Sequence, residues 1–89
     1  MRWQLDPQLF EKLKKVDVRV RNSFYEKIAV FENDPNDLRL NNHALKDEYE
    51  GYRSINITND YRAIYEEVPS GEQTIAYFFL IGTHEELYG

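Results

Sequence analysis

Apolar residues recur along this chain with two different periods. Arg2-Trp3-Gln4-Leu5 alternates polar and apolar, as a short strand with one covered face does. Asp6-Pro7 follows, an N-cap residue with proline at the first helical position. Leu9, Phe10, Leu13 and Val16 then fall at helical spacing, which predicts a first helix over about 7–15. Val16, Val18 and Val20 alternate with Asp17, Arg19 and Arg21 and would suit a strand if read alone. The longer pattern decides otherwise, because Val20, Phe24, Ile28 and Phe31 recur every three or four residues and make a stripe on one helix face. A second helix is therefore predicted over about 17–32, capped by Asp17 and ended by the turn formers Asn33-Asp34-Pro35-Asn36-Asp37. The short link makes the two a helical hairpin.

Residues 38–50 carry no period, and Leu38, Leu40 and Leu45 read as anchors of a loop that presents His43. Alternation returns at Gly51, with Arg53, Ile55 and Ile57 on one face and Ser54, Asn56 and Thr58 on the other. Asn59-Asp60 suits a tight hairpin turn, although the usual glycine is absent. Tyr61–Glu66 is the next strand, Pro69-Ser70-Gly71 a turn, and Thr74–Ile81 the last strand. Thr83-His84-Glu85-Glu86 has capping-box spacing and opens a final helical turn with Leu87 and Tyr88. The order β-α-α-β-β-β predicts one α+β domain, a short N-terminal strand and helical hairpin packed on a three- to four-stranded antiparallel sheet.

Composition changes this picture little. Eighty-nine residues, 42% hydrophobic and 15% aromatic, suffice for one small core without staples. The lack of cysteine removes disulfides and thiolate metal sites. No apolar run approaches the roughly 20 residues of a membrane span, and no secretory leader opens the chain. The expectation is a soluble cytoplasmic protein.

Charge matters more. Residues 1–45 carry eight Lys/Arg against seven Asp/Glu, and residues 46–89 carry three against nine, so the net −5 sits in the second half. Lys12, Lys14, Lys15, Arg19 and Arg21 cluster in the first half with only Asp17 opposing them. An acidic total argues against binding nucleic acid by phosphate neutralisation alone, while the basic cluster keeps that partner open.

The residues able to do chemistry gather in the second half. His43 and His84 lie outside the apolar stripes, and histidine transfers protons near neutral pH. Asp60 is a carboxylate at a hairpin tip, and Arg53 and Arg62 have the forked guanidinium that suits phosphate. Tyr61 and Tyr88 offer rings that stack bases, and Asn56 offers hydrogen bonds without a transferable proton. Each also has a plainer reading. The histidines fit as turn or loop residues, Asp60 as a turn former and the arginines as partners of nearby carboxylates. The tyrosines fit as sheet filler, and Lys12, Lys14 and Lys15 as a solvated helix face. A histidine–aspartate metal site lacks the usual ligand spacing.

The run of helical hairpin, His43-Ala-Leu, Gly51-Tyr-Arg, Asp60-Tyr-Arg-Ala-Ile-Tyr and Gly82-Thr-His-Glu-Glu-Leu-Tyr resembles the RelE/ParE superfamily of bacterial toxins, in particular its YafQ-like branch. The resemblance spans essentially the whole chain and is most specific over residues 41–65 and 79–88. It implies a type II toxin that cleaves mRNA on the ribosome without metal or cofactor and is neutralised by a cognate antitoxin. It places His84 as general acid, His43 or Asp60 as base, Arg62 on the scissile phosphate and Tyr88 against a base. Arg53, Asn56, Tyr61, Lys12, Lys14 and Lys15 become substrate or ribosome contacts. Two departures stand out: Asn56 replaces a histidine of the YafQ-like pattern, and active members are typically basic. They define the alternatives, a weak or inactive binding module paired with an antitoxin, or a gyrase-directed toxin on the same fold.

Overall fold

The computed structural model describes residues 1–88. Strand β1 (Arg2–Leu5) leads into helices α1 (Pro7–Lys15) and α2 (Val18–Asn33), followed by β2 (His43–Ala44), β3 (Arg53–Asn56), β4 (Tyr61–Ser70), β5 (Gln73–Thr83) and α3 (His84–Tyr88). Both predicted helices form within a residue of their expected ends, and for the expected reasons. The Asp6 carboxylate accepts from the Gln8 N–H at 2.8 Å and the Asp17 carboxylate from the Arg19 N–H at 2.7 Å, so each aspartate caps its helix.

The sheet is larger than the sequence pattern predicted. It has five strands in the order β1-β5-β4-β3-β2, and β1 runs parallel to β5 while the other neighbours are antiparallel. Parallel neighbours need a long crossover, which here takes in the helical hairpin and strands β2 to β4.

Three local expectations are corrected. The 38–50 segment is not loop throughout: 3-10 turns at Leu38–Leu40 and Asp47–Tyr49 flank the two-residue strand β2. Leu40 is wholly buried as expected, but Leu38 is 96% exposed and anchors nothing. Pro69 and Ser70 belong to β4, opposite Thr74 and Gln73, so the turn moves to Gly71-Glu72. Gly71 has φ +64°, which glycine adopts freely. The β3–β4 connection spans residues 57–60 rather than a two-residue turn.

The helices cover one face of the sheet. Leu9 and Leu13 of α1 and Val20, Phe24, Ile28 and Phe31 of α2 pack with Ile55, Ala63, Tyr65, Ala76, Phe78 and Ile81. Phe78 is the hub, with its ring 6.2 Å from Phe24, 5.3 Å from Phe31 and 4.9 Å from Tyr65. On the other face α3 sits against Gly82 of β5, with residues 45–49 beside it along the clefts.

Candidate functional site

Cross-strand partners share a face of a sheet. His43 pairs with Ser54, Ser54 with Ile64, and Ile64 with Leu80. In the next row Asn56 pairs with Arg62 and Arg62 with Gly82. Ile55, between Ser54 and Asn56, belongs to the helix-covered core. Both rows therefore lie on the opposite, open face.

Helix α3 closes over one end of this face. A Cβ on Gly82 would lie 3.3 Å from Leu87 Cγ and 3.4 Å from Glu86 Oε1, so the missing side chain lets the helix settle close to β5. The predicted capping box forms: the Thr83 N–H donates to Glu86 Oε1 at 2.7 Å and the Glu86 N–H to Thr83 Oγ1 at 3.1 Å. The Thr83 backbone hydrogen bond holds the Glu86 carboxyl below its usual range, helped by the Thr83 hydroxyl and the positive charge of Lys12.

This placement brings three of the expected residues together. His43, His84 and Tyr88 line one surface cleft of about 310 Å³, with Ala44, Leu45, Lys46 and Asp47. The His84 and Tyr88 rings lie 4.8 Å apart, and Tyr88 meets Tyr49 edge-on at 5.9 Å. His43 Nδ1 lies 3.1 Å from the Ala44 carbonyl oxygen. A second groove of about 490 Å³ continues past Lys46, Asp47 and Tyr88 to Glu48, Tyr49, Glu86 and Leu87. Asp60 joins from the side, with its carbonyl accepting the His84 N–H at 3.0 Å. Its carboxylate has no hydrogen-bond partner among the described residues.

Other expected contacts go elsewhere. Arg62 lies on the open face, but its Nη1 donates to the carbonyls of Thr58 at 2.9 Å, Asn59 at 3.1 Å and Tyr61 at 3.1 Å. Arg53 is on the covered side, a correction that follows from strand alternation. Its Nε donates to Asn42 Oδ1 at 2.9 Å, and Asn42 in turn donates to the Tyr65 hydroxyl at 2.8 Å. Burial pushes the Tyr65 phenol up, while its hydrogen bond with Asn42 opposes the rise. Tyr61 packs against the core rather than presenting its ring to a base. Lys12 donates to the Ile81 carbonyl at 2.6 Å, Lys14 pairs with Glu11 at 3.3 Å and sits over the Phe10 ring, and Lys15 is exposed. None of the three lines the cleft.

Sequence reasoning also passed over residues that shape the site. Tyr49 and Lys46 come from a segment without periodicity, where no pattern marks a lining residue. Ser54 is 1% exposed and its Oγ has no partner; Asn56 Oδ1 is likewise buried and unpaired. Ser54 stood on the face expected to be polar, and nothing in the alternation announced that it would be buried. Among the described residues no three His, Cys, Asp or Glu side chains converge on a metal position.

Comparison with solved structures supplies the fold. The chain is similar to the YoeB/ParE toxin from Agrobacterium tumefaciens, with TM-score 0.71 and 21% identity over 94% of this chain and 99% of that one. YafQ from E. coli strain BL21(DE3) aligns over the full length of both chains with TM-score 0.67 and 20% identity. The toxin–antitoxin complex RelBE2 from Mycobacterium tuberculosis aligns with TM-score 0.68 and 19% identity over 93% of this chain and 96% of that one. No sequence family and no curated protein matches the chain. The chain thus shares the fold of these solved structures.

Proposed function

We propose that the chain is the toxin of a type II toxin–antitoxin pair and that its cleft cleaves mRNA on the ribosome by metal-independent acid–base chemistry. The observation that carries this reading is the meeting of His43, His84 and Tyr88 in one cleft on the open face of a toxin-type fold. Attack by a 2′-hydroxyl needs a base for its proton, an acid for the departing 5′ oxygen, and positive charge near the phosphorane. Two histidines on one cleft supply the base and the acid at neutral pH. His84, on a capped helix, is the acid; His43 or the free carboxylate of Asp60 is the base. Lys46 is the cation lining the cleft, and Tyr88, 37% exposed and braced by Tyr49, offers a ring for a base to stack on. The partners are a cognate antitoxin, as in the solved RelBE2 and E. coli DinJ–YafQ complexes, and the ribosome with its mRNA in the cytoplasm.

One observation favours a second reading. Asp47, Glu48 and Glu86 outnumber Lys46 along the continuing groove, and Asn56 has no proton to transfer, which suits a binding module with little or no nuclease activity. A gyrase-directed toxin would leave the histidine pair without a task. Primer extension on an mRNA in a reconstituted translation system, with and without ribosomes, tests the choice. The nuclease reading expects ribosome-dependent cuts that vanish in His84→Ala. No cuts from folded native protein move the assignment to the binding module.

A further inference from the structure

Residues 57–60, which join β3 to β4, leave no backbone carbonyl without a donor. The Ile57 carbonyl accepts from Lys27 Nζ at 3.3 Å, the Thr58 and Asn59 carbonyls from Arg62 Nη1, and the Asp60 carbonyl from the His84 N–H. The next carbonyl, Tyr61, accepts from the Ile57 N–H at 2.9 Å and from Arg62 Nη1 as well. The loop's own donors turn inward, with the Asp60 and Tyr61 N–H groups donating to Thr58 Oγ1 at 3.3 and 3.0 Å. Exposed loop carbonyls ordinarily bond water. Here two cations, one from α2 and one from β4, take that place, and charged donors bind about twice as strongly as neutral ones.

We infer that Arg62 is a positioning residue for His84, acting through this loop. Its Nη1 holds the carbonyls of Thr58 and Asn59. The following carbonyl, that of Asp60, receives the N–H of His84, the first residue of α3. That helix has only five residues and is otherwise held by the Thr83–Glu86 box and its seat on Gly82. A shift of the loop therefore turns the helix and moves the His84 and Tyr88 rings within the cleft. The neighbouring acceptor makes the preference plain. Asn56, the cross-strand partner of Arg62, keeps its Oδ1 buried and unpaired while the guanidinium serves the loop.

The catalytic consequence rests on the nuclease reading; the clamp itself does not. The deciding experiment is therefore amide hydrogen exchange of His84 by NMR in the native chain, Arg62→Ala, Arg62→Lys and Lys27→Met. Loss of a charged hydrogen bond is expected to raise exchange at His84 by about tenfold or more in Arg62→Ala. A smaller rise is expected in Arg62→Lys, which keeps the charge with fewer donors, and in Lys27→Met, while amides of the β4–β5 ladder keep their native rates. In ribosome-dependent cleavage Arg62→Lys should lower kcat and leave KM unchanged. Native exchange at His84 in the Arg62 variants overturns the inference. If Arg62→Ala does not fold, Arg62→Lys and Lys27→Met decide by the same exchange rates. A native chain that cuts nothing ends the nuclease reading and leaves the exchange result standing.

Discussion

Ser54 and Ile55 are neighbours on β3 and point to opposite sides of the sheet. Ile55 is wholly buried in a cluster whose aromatic rings meet edge-on, and the polar groups at that cluster's margin are paired: Arg53 with Asn42, and Asn42 with the Tyr65 hydroxyl. Ser54 is 1% exposed, yet its Oγ has no partner, and Asn56 Oδ1 beyond it has none either. The covered face thus follows the ordinary rule that buried polar atoms are satisfied, and the open face breaks it. Beside the buried Ile64, a reciprocal capping box, a glycine seat for Leu87 and a cation-bound loop hold the open face together. The larger apolar cluster lies on one side of the sheet and the candidate cleft on the other, so changes on the two sides should differ in size and in reach.

The largest effect belongs to the covered face. Phe78→Ala removes the ring that touches Phe24, Phe31 and Tyr65, and should cost about 3–5 kcal/mol of folding stability, read as a lower urea midpoint. A loss under about 1 kcal/mol would show that the core repacks around the gap and would remove the contrast between the faces.

Thr83→Ala tests the other side. It deletes the hydroxyl that accepts the Glu86 N–H, and loss of an N-cap costs about 1 kcal/mol. The damage should stay local, with faster amide exchange through α3 and native rates in the β4–β5 ladder. Exchange that rises across the whole sheet would mean that α3 belongs to the cooperative core.

Legibility in the sequence divides along the same line. The covered face was readable because one physical rule wrote it: Val20, Phe24, Ile28 and Phe31 repeat at the helical period, and all four are buried. Asp6, Asp17 and the Thr83–Glu86 pair were readable because caps act within a few residues. Strand β1 was legible but its parallel partner was not, since pairing residues more than 70 positions apart leaves no local trace. On the open face, His43, His84 and Tyr88, each singled out by residue type, come to line one cleft. Arg53 lies elsewhere, since its position on the strand sends it to the covered side, and Tyr61 is half-buried against the core. Arg62 has the forked guanidinium that suits phosphate, and its hydrogen bonds to the 57–60 loop come into view only with the fold.

Ser54→Ala gives a smaller effect of opposite sign. Removing a buried hydroxyl that has no partner relieves a desolvation cost, so the urea midpoint should stay level or rise by up to about 1 kcal/mol of stability. A clear loss would mean that Ser54 Oγ is hydrogen-bonded in solution, which would bring the open face under the same rule as the covered one.

The smallest expected effect is a difference in acid sensitivity between the two sides. Asp37 caps the 3-10 turn that carries buried Leu40, and the Arg39 guanidinium and N–H hold its carboxyl down, from 3.8 to about 2. On the open side the Thr83 N–H holds down Glu86. A carboxyl depressed in the folded state stabilises it fully above the unfolded pKa and loses that contribution as pH falls through the folded one. For Asp37 that window runs from 3.8 down to about 2. Both groups are open to water, so salt screens the effect and its size is modest. The urea midpoint should fall as pH drops below about 4, and both Asp37→Asn and Glu86→Gln should flatten that fall. Asp37→Asn should flatten it more, because its carboxyl is held down by a guanidinium as well as by a backbone N–H. Equal slopes in the two variants would place the caps of the two faces on the same footing, and the contrast would then rest on apolar packing alone.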